Sequence, residues 1–162
     1  MRLLRNEPEM SKRWKIWSKF LIGNQDNPMM KRIRVIQTPW FGIYLHFIYR
    51  EDLDRDPHDH PWVFWRMILK GGYTEEYYPA KEYPMSTFRI HMRGDRPNKF
   101  PQKAAHRISA VTPGTVTLVI VGKKNTIWGF WRNLGDLTAK FIPWHKYVTP
   151  VGVYSQEEIE KM

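Results

Sequence analysis

Between residues 33 and 142, short apolar and aromatic segments alternate with turn residues, and no helical segment separates them. Nine such segments have strand character. They cover residues 33–37, 43–49, 62–70, 73–78, 87–92, 106–111, 115–121, 127–132 and 139–142. Short strands without intervening helices predict an all-β fold, an antiparallel sandwich or barrel rather than a parallel sheet. Gly71-Gly72 further predicts a two-residue hairpin turn, and Pro113-Gly114 predicts a type II turn.

The ends of the chain have a different pattern. Trp14, Trp17 and Leu21 lie at helical spacing after Ser11, a candidate N-cap, and predict an amphipathic helix. The run from Ser155 to Glu158 has the pattern of a capping box and predicts a short terminal helix. At 162 residues the chain is expected to form one domain. We therefore predict a basic N-terminal helical extension over residues 1–30, a β-barrel over 31–150 and a C-terminal helical tail over 151–162.

The positive charge is concentrated near the N-terminus. The net charge is +10, and residues 1–36 hold nine Lys or Arg against three acidic residues, a net of +6. We interpret this segment as a solvated surface, because no zinc-finger, RNA-recognition or helix-turn-helix pattern accompanies the charge. Contact with nucleic acid is the more weakly supported alternative.

Two features absent from the sequence limit the possible metal ligands and the expected location of the protein. The chain has no cysteine, so a metal ion would be bound by imidazole and carboxylate groups. No apolar run approaches the roughly 18 residues that span a bilayer, and the N-terminus lacks a secretory signal pattern. We expect a cytoplasmic protein without membrane contact.

The segment Asp56-Pro-His-Asp-His-Pro-Trp62 carries the candidate site. His58 and His60 are two residues apart, and such residues on an extended chain point to the same side. Both imidazoles can then reach one ion, and a third ligand must come from another segment.

The residues from His58 to Gly72 resemble the first motif of cupins, H-x-H, three or four residues, E, six residues, G. Both histidines and Gly72 match, while Trp65 occupies the position of the ligating glutamate. The second cupin motif is matched more loosely by Gly94, Pro101 and His106. Lys103 and Ala110 stand where that motif has glycine and asparagine.

A closer resemblance is to a group of largely uncharacterised cupin-like proteins, common in phage and bacterial genomes. It covers about residues 40 to 132 and is most specific in H-D-H-P-W (58–62) and W-G-F (128–130). This resemblance implies a single cupin-type jelly roll, and it suggests a homodimer. The resemblance to the two cupin motifs implies that His58, His60 and His106 bind a divalent metal, with iron favoured over zinc, manganese and nickel. Without the glutamate, the ion would keep its full charge and favour an anionic substrate.

Other residues are candidates for supporting roles. If Gly71-Gly72 closes a hairpin, Glu76 shares a face with Trp65 and could serve as an extra ligand, although a solvated strand residue is the simpler interpretation. Asp56 and Asp59 could orient the imidazoles by accepting their second N–H, or they could belong to a charged surface loop. The remaining candidates for the pocket wall are Arg66, Tyr77, Arg107, Trp128 and Phe130, of which the aromatic residues could equally be core.

Three functions remain open from the sequence. The first is a metal-dependent enzyme acting on a small molecule, for which the cupin resemblance favours an iron-dependent oxygenase. The second is a metal-free, sugar-binding or epimerase-like cupin in which His58 or His60 acts as a base. The third is a non-enzymatic binding module whose basic N-terminus contacts nucleic acid or another acidic partner.

Overall fold

The computed structural model describes residues 14–24, 26–54, 56–80, 85–134, 139–149 and 152–153. Strands dominate this part of the chain, with one short 3₁₀ helix at Trp144–Lys146. The strands are β1 (Lys15–Asn24), β2 (Asn27–Gln37), β3 (Gly42–Ile48), β4 (Phe64–Lys70), β5 (Gly72–Tyr78), β6 (Thr87–Met92), β7 (Asn98–Phe100), β8 (Ala105–Val111), β9 (Thr115–Val121), β10 (Gly129–Arg132), β11 (Lys140–Pro143), β12 (Val148–Thr149) and β13 (Gly152–Val153).

Two antiparallel sheets enclose the core. The larger has six strands in the order β1-β2-β3-β9-β4-β7, and the smaller has three in the order β6-β5-β8. Alternate residues of each strand point inward, as the period of an extended chain requires. One core cluster joins Tyr44, Phe64 and Val119 of the larger sheet to Tyr77 of the smaller, around Phe100. The apolar faces of the two sheets are therefore buried against each other.

All nine strands predicted from the sequence overlap observed strands, but the predicted N-terminal helix is wrong. Residues 15–24 form β1, which pairs antiparallel with β2. The inward residues Phe20 and Ile22 are buried, whereas Trp17 is 60% exposed. Backbone pairing along β2 and burial of alternate residues stabilise the strand, so tertiary context overrides the helical spacing of three apolar residues.

The predicted hairpin at Gly71-Gly72 is also wrong. β4 pairs with β9 and β7, and β5 pairs with β6 and β8, so the two glycines carry the chain from one sheet to the other. Gly71 has a φ of +70°. The predicted turn at Pro113-Gly114 has its expected features, since Gly114 has a φ of +77° and Thr115 N donates to Thr112 O over 3.2 Å.

The predicted C-terminal helix at Ser155–Glu158 lies outside the described residues. The division of the chain at residues 30 and 150 stays a prediction. Within the described ranges, no helix is long and apolar enough to cross a membrane.

Alanine at Gly71 should destabilise the fold more than alanine at Gly114. Both positions need a positive φ, which costs about 1–3 kcal/mol for a residue with a Cβ. At Gly71 the new Cβ would also lie 2.5 Å from Thr115 Oγ1 and 3.0 Å from Thr115 Cα, whereas at Gly114 the nearest atom is 3.8 Å away. Urea denaturation should therefore show a loss at least about 1 kcal/mol larger for Gly71→Ala. Equal losses of stability in the two variants would contradict the close contact between residue 71 and Thr115.

Candidate metal centre

Three histidines from two segments converge at one end of the core. His58 and His60 lie in the loop before β4, and His106 lies on β8. Their ligand atoms all lie within 4.8 Å of one another. The ring centroids are 4.8 Å apart for His58 and His106, 5.1 Å for His58 and His60, and 5.1 Å for His60 and His106. The structure thus brings together the three residues that the sequence nominated.

Backbone pairing holds the two segments together. His58 N donates to His106 O over 2.8 Å, and His106 N donates to His58 O over 2.9 Å. Asp59 attaches the same loop to β10, because its carboxylate accepts from Gly129 N at 2.8 Å and from Trp131 Nε1 at 3.1 Å. The loop is therefore fixed on both sides although it has almost no regular structure.

Asp56 and Asp59 hold the loop in place by contacts with residues 129 to 147. Asp56 accepts from Tyr147 Oη over 3.0 Å and from Arg132 Nε over 3.3 Å. The carboxylate that lies near His58 is that of Asp52, whose Oδ2 is 3.8 Å from His58 Nδ1 and also accepts from Ile108 N. Asp56 and Asp59 therefore position the backbone that carries His58 and His60.

His106 is oriented by Glu75, a residue that was not among the candidate site residues from the sequence. Glu75 is fully buried on β5, and its Oε2 is 2.6 Å from His106 Nδ1. The carboxylate also accepts from His91 Nε2 over 2.9 Å and from both terminal nitrogens of Arg66. Burial alone would raise the pKa of Glu75, but the hydrogen bonds from His106, His91 and Arg66 hold it well below its usual range.

An ionised Glu75 determines the tautomer of His106. A carboxylate only accepts hydrogen bonds, so Nδ1 of His106 carries the proton and Nε2 presents its lone pair. That Nε2 lies 3.0 Å from His60 Nε2. Burial lowers the pKa of His106, although Glu75 opposes this effect. Burial, and then the charges of His58 and His106, hold the pKa of His60 well below its ordinary value. At neutral pH both imidazoles are thus neutral, as metal ligands must be.

The donor set fits a divalent cation. Two nitrogens bound to one ion at about 2.1 Å lie about 3.0–3.4 Å apart, and the separation between His60 Nε2 and His106 Nε2 is 3.0 Å. In the part of the chain that the structure describes, the cluster contains three histidines and no carboxylate. Three imidazoles leave further positions of an ion open to small ligands.

The missing glutamate is replaced by Phe64 rather than Trp65. Trp65 points outward and is 43% exposed, whereas Phe64 is buried. The Phe64 ring lies edge-on to His60, with the ring centroids 4.8 Å apart. The cupin motif allows three or four residues before its glutamate, and the shorter spacing places Phe64 at that position and Gly71 at the motif's glycine.

Glu76 lies away from the histidines, contrary to the hairpin-based prediction. Its carboxylate accepts from Arg107 over 3.0 Å and from Tyr78 Oη over 2.9 Å. The inward residues of β5 are instead Tyr73, Glu75 and Tyr77. The prediction for Glu76 was wrong because it assumed that β4 and β5 form a hairpin. β5 instead pairs with β6 and β8, and that sheet determines which of its residues face inward.

A cavity of about 400 Å³ opens onto the three histidines. Among the predicted wall residues, Arg66, Trp128 and Phe130 line it. Tyr77 packs in the core against Phe100. The cavity is also lined by Arg32, Arg34 and His46 on β2 and β3, none of which was a candidate site residue from the sequence. The sequence signal that could have identified them is their alternation along the strands, because residues two apart on a strand lie on the same face.

Comparison with known proteins establishes the fold but not a family. No model of a protein family matches the sequence, and no curated protein matches it either. Among solved structures, the iron(II) form of HppE has a TM-score of 0.51 at 10% identity, with 74% of this chain and 60% of that chain covered. The capsular polysaccharide assembling protein CapF from Staphylococcus aureus has a TM-score of 0.52 at 8% identity, with coverages of 78% and 32%.

A third similar structure is Fe(II)-HppE with the alternative substrate (S)-1-HPP, with a TM-score of 0.50 at 11% identity. That match covers 65% of this chain and 55% of that chain, so the present chain spans about half the length of that relative. These neighbours are cupin-fold proteins, and the chain has the cupin-type antiparallel barrel that the sequence predicted. At such low identities the likeness carries the fold alone.

Replacing Glu75 by glutamine should weaken metal binding by about 10- to 100-fold, the usual effect of losing a carboxylate that orients a ligand histidine. Glu76→Gln is the matched control, because it removes the same charge at the next residue, where the carboxylate pairs with Arg107. Competition with a chromophoric chelator measures both affinities. Equal affinities for the two variants would contradict the orienting role of Glu75.

The stability of the metal-free protein should fall as the pH drops below about 6.5. Burial, and then the charge of Arg32, hold the pKa of His46 well below its ordinary value. The folded imidazole stays neutral while the unfolded chain takes up a proton, so stability is lost by up to about 1.4 kcal/mol per pH unit for this group.

Urea denaturation at about pH 7 and about pH 5 checks this dependence. His46→Gln, which retains an acceptor for Arg32, should reduce the loss, while a change at the exposed His145 should leave it as in the wild type. The same loss in His46→Gln and the wild type would show that His46 does not contribute.

Proposed function

We propose that His58, His60 and His106 bind a divalent metal ion and that the protein is a metal-dependent enzyme, an iron-dependent oxygenase acting on a small anionic substrate. The observation that supports this most directly is the convergence of three imidazoles, with ligand atoms within 4.8 Å of one another, in the wall of a cavity of about 400 Å³. A cavity of this size suits a small molecule. We also retain the likeness to the cupin-like group with the H-D-H-P-W motif as part of this proposal.

The bound ion would supply Lewis acidity and, as iron, the capacity to bind and reduce dioxygen. The chain's own residues prepare the site for it. Glu75 holds the proton on Nδ1 of His106, which keeps Nε2 directed at the other imidazoles. The low pKa values of His60 and His106 keep both rings unprotonated near neutral pH.

Aromatic rings surround the three histidines. Phe100 lies 5.4 Å from His60 and 4.6 Å from His106, measured between ring centroids. On the other side, Trp128 and Phe130 lie 6.2 Å and 5.9 Å from His58. A site with such walls has a low local dielectric, in which charge interactions with a bound anion are stronger than in water.

Protein purified without a histidine tag and supplied with iron(II) in the absence of oxygen should bind about one ion per chain, because the site offers three ligands. Alanine at His58, His60 or His106 should each reduce the bound iron at least about tenfold, while His145→Ala should retain it because His145 is exposed. Elemental analysis after desalting provides the measurement. Iron binding that is the same in His106→Ala and the wild type would overturn the proposed site and leave the metal-free alternatives.

A further inference from the structure

The wall of the cavity formed by β2 and β3 carries two arginines at successive inward positions. Arg32 pairs in register with His46, and Arg34 pairs with Tyr44. All four residues line the same cavity as the three histidines. The sequence pattern indicated a solvated segment over residues 1–36, but β2 places Arg32 and Arg34 against this cavity.

Neither arginine is neutralised by a carboxylate that the structure describes. Arg32 Nε donates to His46 Nε2 over 3.0 Å, and that imidazole is neutral. Arg34 Nε is buried and has no hydrogen-bond partner. Across the register from Arg34, Ser18 also has a buried hydroxyl without a partner. Buried charges and donors without partners are costly, so they point to a missing ligand.

Arg66 lines the same cavity and differs from these arginines in having a carboxylate partner, although its Nε is also buried without a hydrogen-bond partner. Its guanidinium pairs with the buried carboxylate of Glu75. Arg32 and Arg34 have aromatic neighbours instead. The Arg32 guanidinium lies 5.8 Å from the Phe20 centroid and 5.6 Å from that of Tyr44, and the Arg34 guanidinium lies 5.3 Å from that of Phe20. These rings hold the guanidinium groups in place without neutralising them.

The charge of the cavity as a whole favours an anion. Apart from Arg66, which Glu75 neutralises, four cationic side chains line it, those of Lys15, Arg32, Arg34 and Lys124, against the two carboxylates of Asp52 and Asp54. Burial lowers the pKa of Arg32 to about 10, with Tyr44 opposing the shift. An anion beside Arg32 would relieve this cost.

Arg32 and Arg34 lie across the cavity within reach of the histidines. Arg34, Tyr44, Val119 and Arg66 lie in one register across β2, β3, β9 and β4. Three strand spacings of about 4.8 Å separate Arg34 from Arg66, about 14 Å in all between backbones. Arg32, Arg34 and the three histidines line one continuous cavity. A short molecule with its anionic end at β2 therefore has its other end near the histidines.

We propose that Arg32 and Arg34 form an oxyanion subsite that binds the carboxylate or phosphoryl group of a small substrate and directs the rest of that molecule toward His58, His60 and His106. The guanidinium fork is suited to both groups, because it donates two parallel hydrogen bonds to two oxygens. The orientation toward the histidines rests on the proposed function, whereas the binding of the anion by the arginines does not require a metal.

The test uses the metal-free full-length protein, with inorganic phosphate and malonate as probes in calorimetric titrations at low ionic strength. Each variant Arg32→Gln and Arg34→Gln should weaken the binding of the better probe at least about tenfold, the effect of losing one charge-assisted hydrogen bond. Lys31→Gln is the matched control and should change the affinity less than about twofold. It removes the same charge from the same strand, but Lys31 points away from the cavity and lies over Phe47 at 5.1 Å.

Arg34→Lys provides a second variant that retains the charge and loses the planar fork, and its affinity should lie between those of Arg34→Gln and the wild type. Saturable binding of either anion that depends on both arginines supports the subsite, and the tighter probe identifies the head group. No saturable binding, or equal weakening by Lys31→Gln and Arg34→Gln, overturns it.

Iron content separates this proposal from the proposed function. Arg34→Gln should bind as much iron as the wild type, because Arg34 is not among the clustered ligands. Anion binding by a protein that binds no iron would leave the subsite standing and overturn the metal-dependent function. Iron binding without arginine-dependent anion binding would overturn the subsite alone.

Discussion

The buried carboxylate of Glu75 joins the two sheets and orients the site at the same time. Its partners come from both sheets, since Arg66 lies on β4 of the larger sheet and His91 and His106 lie on β6 and β8 of the smaller. An isolated charge at this depth would be strongly unfavourable, and the Arg66 guanidinium and two imidazole donors compensate it. The same hydrogen bonds hold His106 with its Nε2 directed at His60, so the packing of the barrel and the geometry of the histidines depend on one group.

The cavity has two chemically different sides. Near the histidines, Arg66 is matched by Glu75 and aromatic rings surround the imidazoles. On β2, Arg32 and Arg34 have aromatic neighbours but no described carboxylate. A matched charge stabilises the fold, whereas an unmatched one costs stability until a ligand arrives. This asymmetry is the basis of the proposed anion subsite.

The sequence and the structure agree best where the signal is local. Alternation of apolar and polar residues predicts the strands from β2 to β6 and from β8 to β11, but not the three-residue β7, because every second side chain of an extended chain is buried. The pair His58 and His60 is local for the same reason. At the N-terminus the signal was ambiguous, since Trp14, Trp17 and Leu21 fit a helix while Phe20 and Ile22 fit the buried face of a strand. Pairing with β2 decided in favour of the strand.

The sequence by itself determined the all-β class, most of the strands, and the three histidines as a candidate site. It left open which strands pair, because hydrogen bonds between strands join residues that are far apart in the chain. The pairing decides that Gly71 and Gly72 cross between sheets, that Glu75 rather than Glu76 faces inward, and that Phe64 replaces the cupin glutamate. It also decides that two arginines of a seemingly solvated segment face the cavity, since burial of a charge is a property of the assembled barrel and not of its neighbours in the chain.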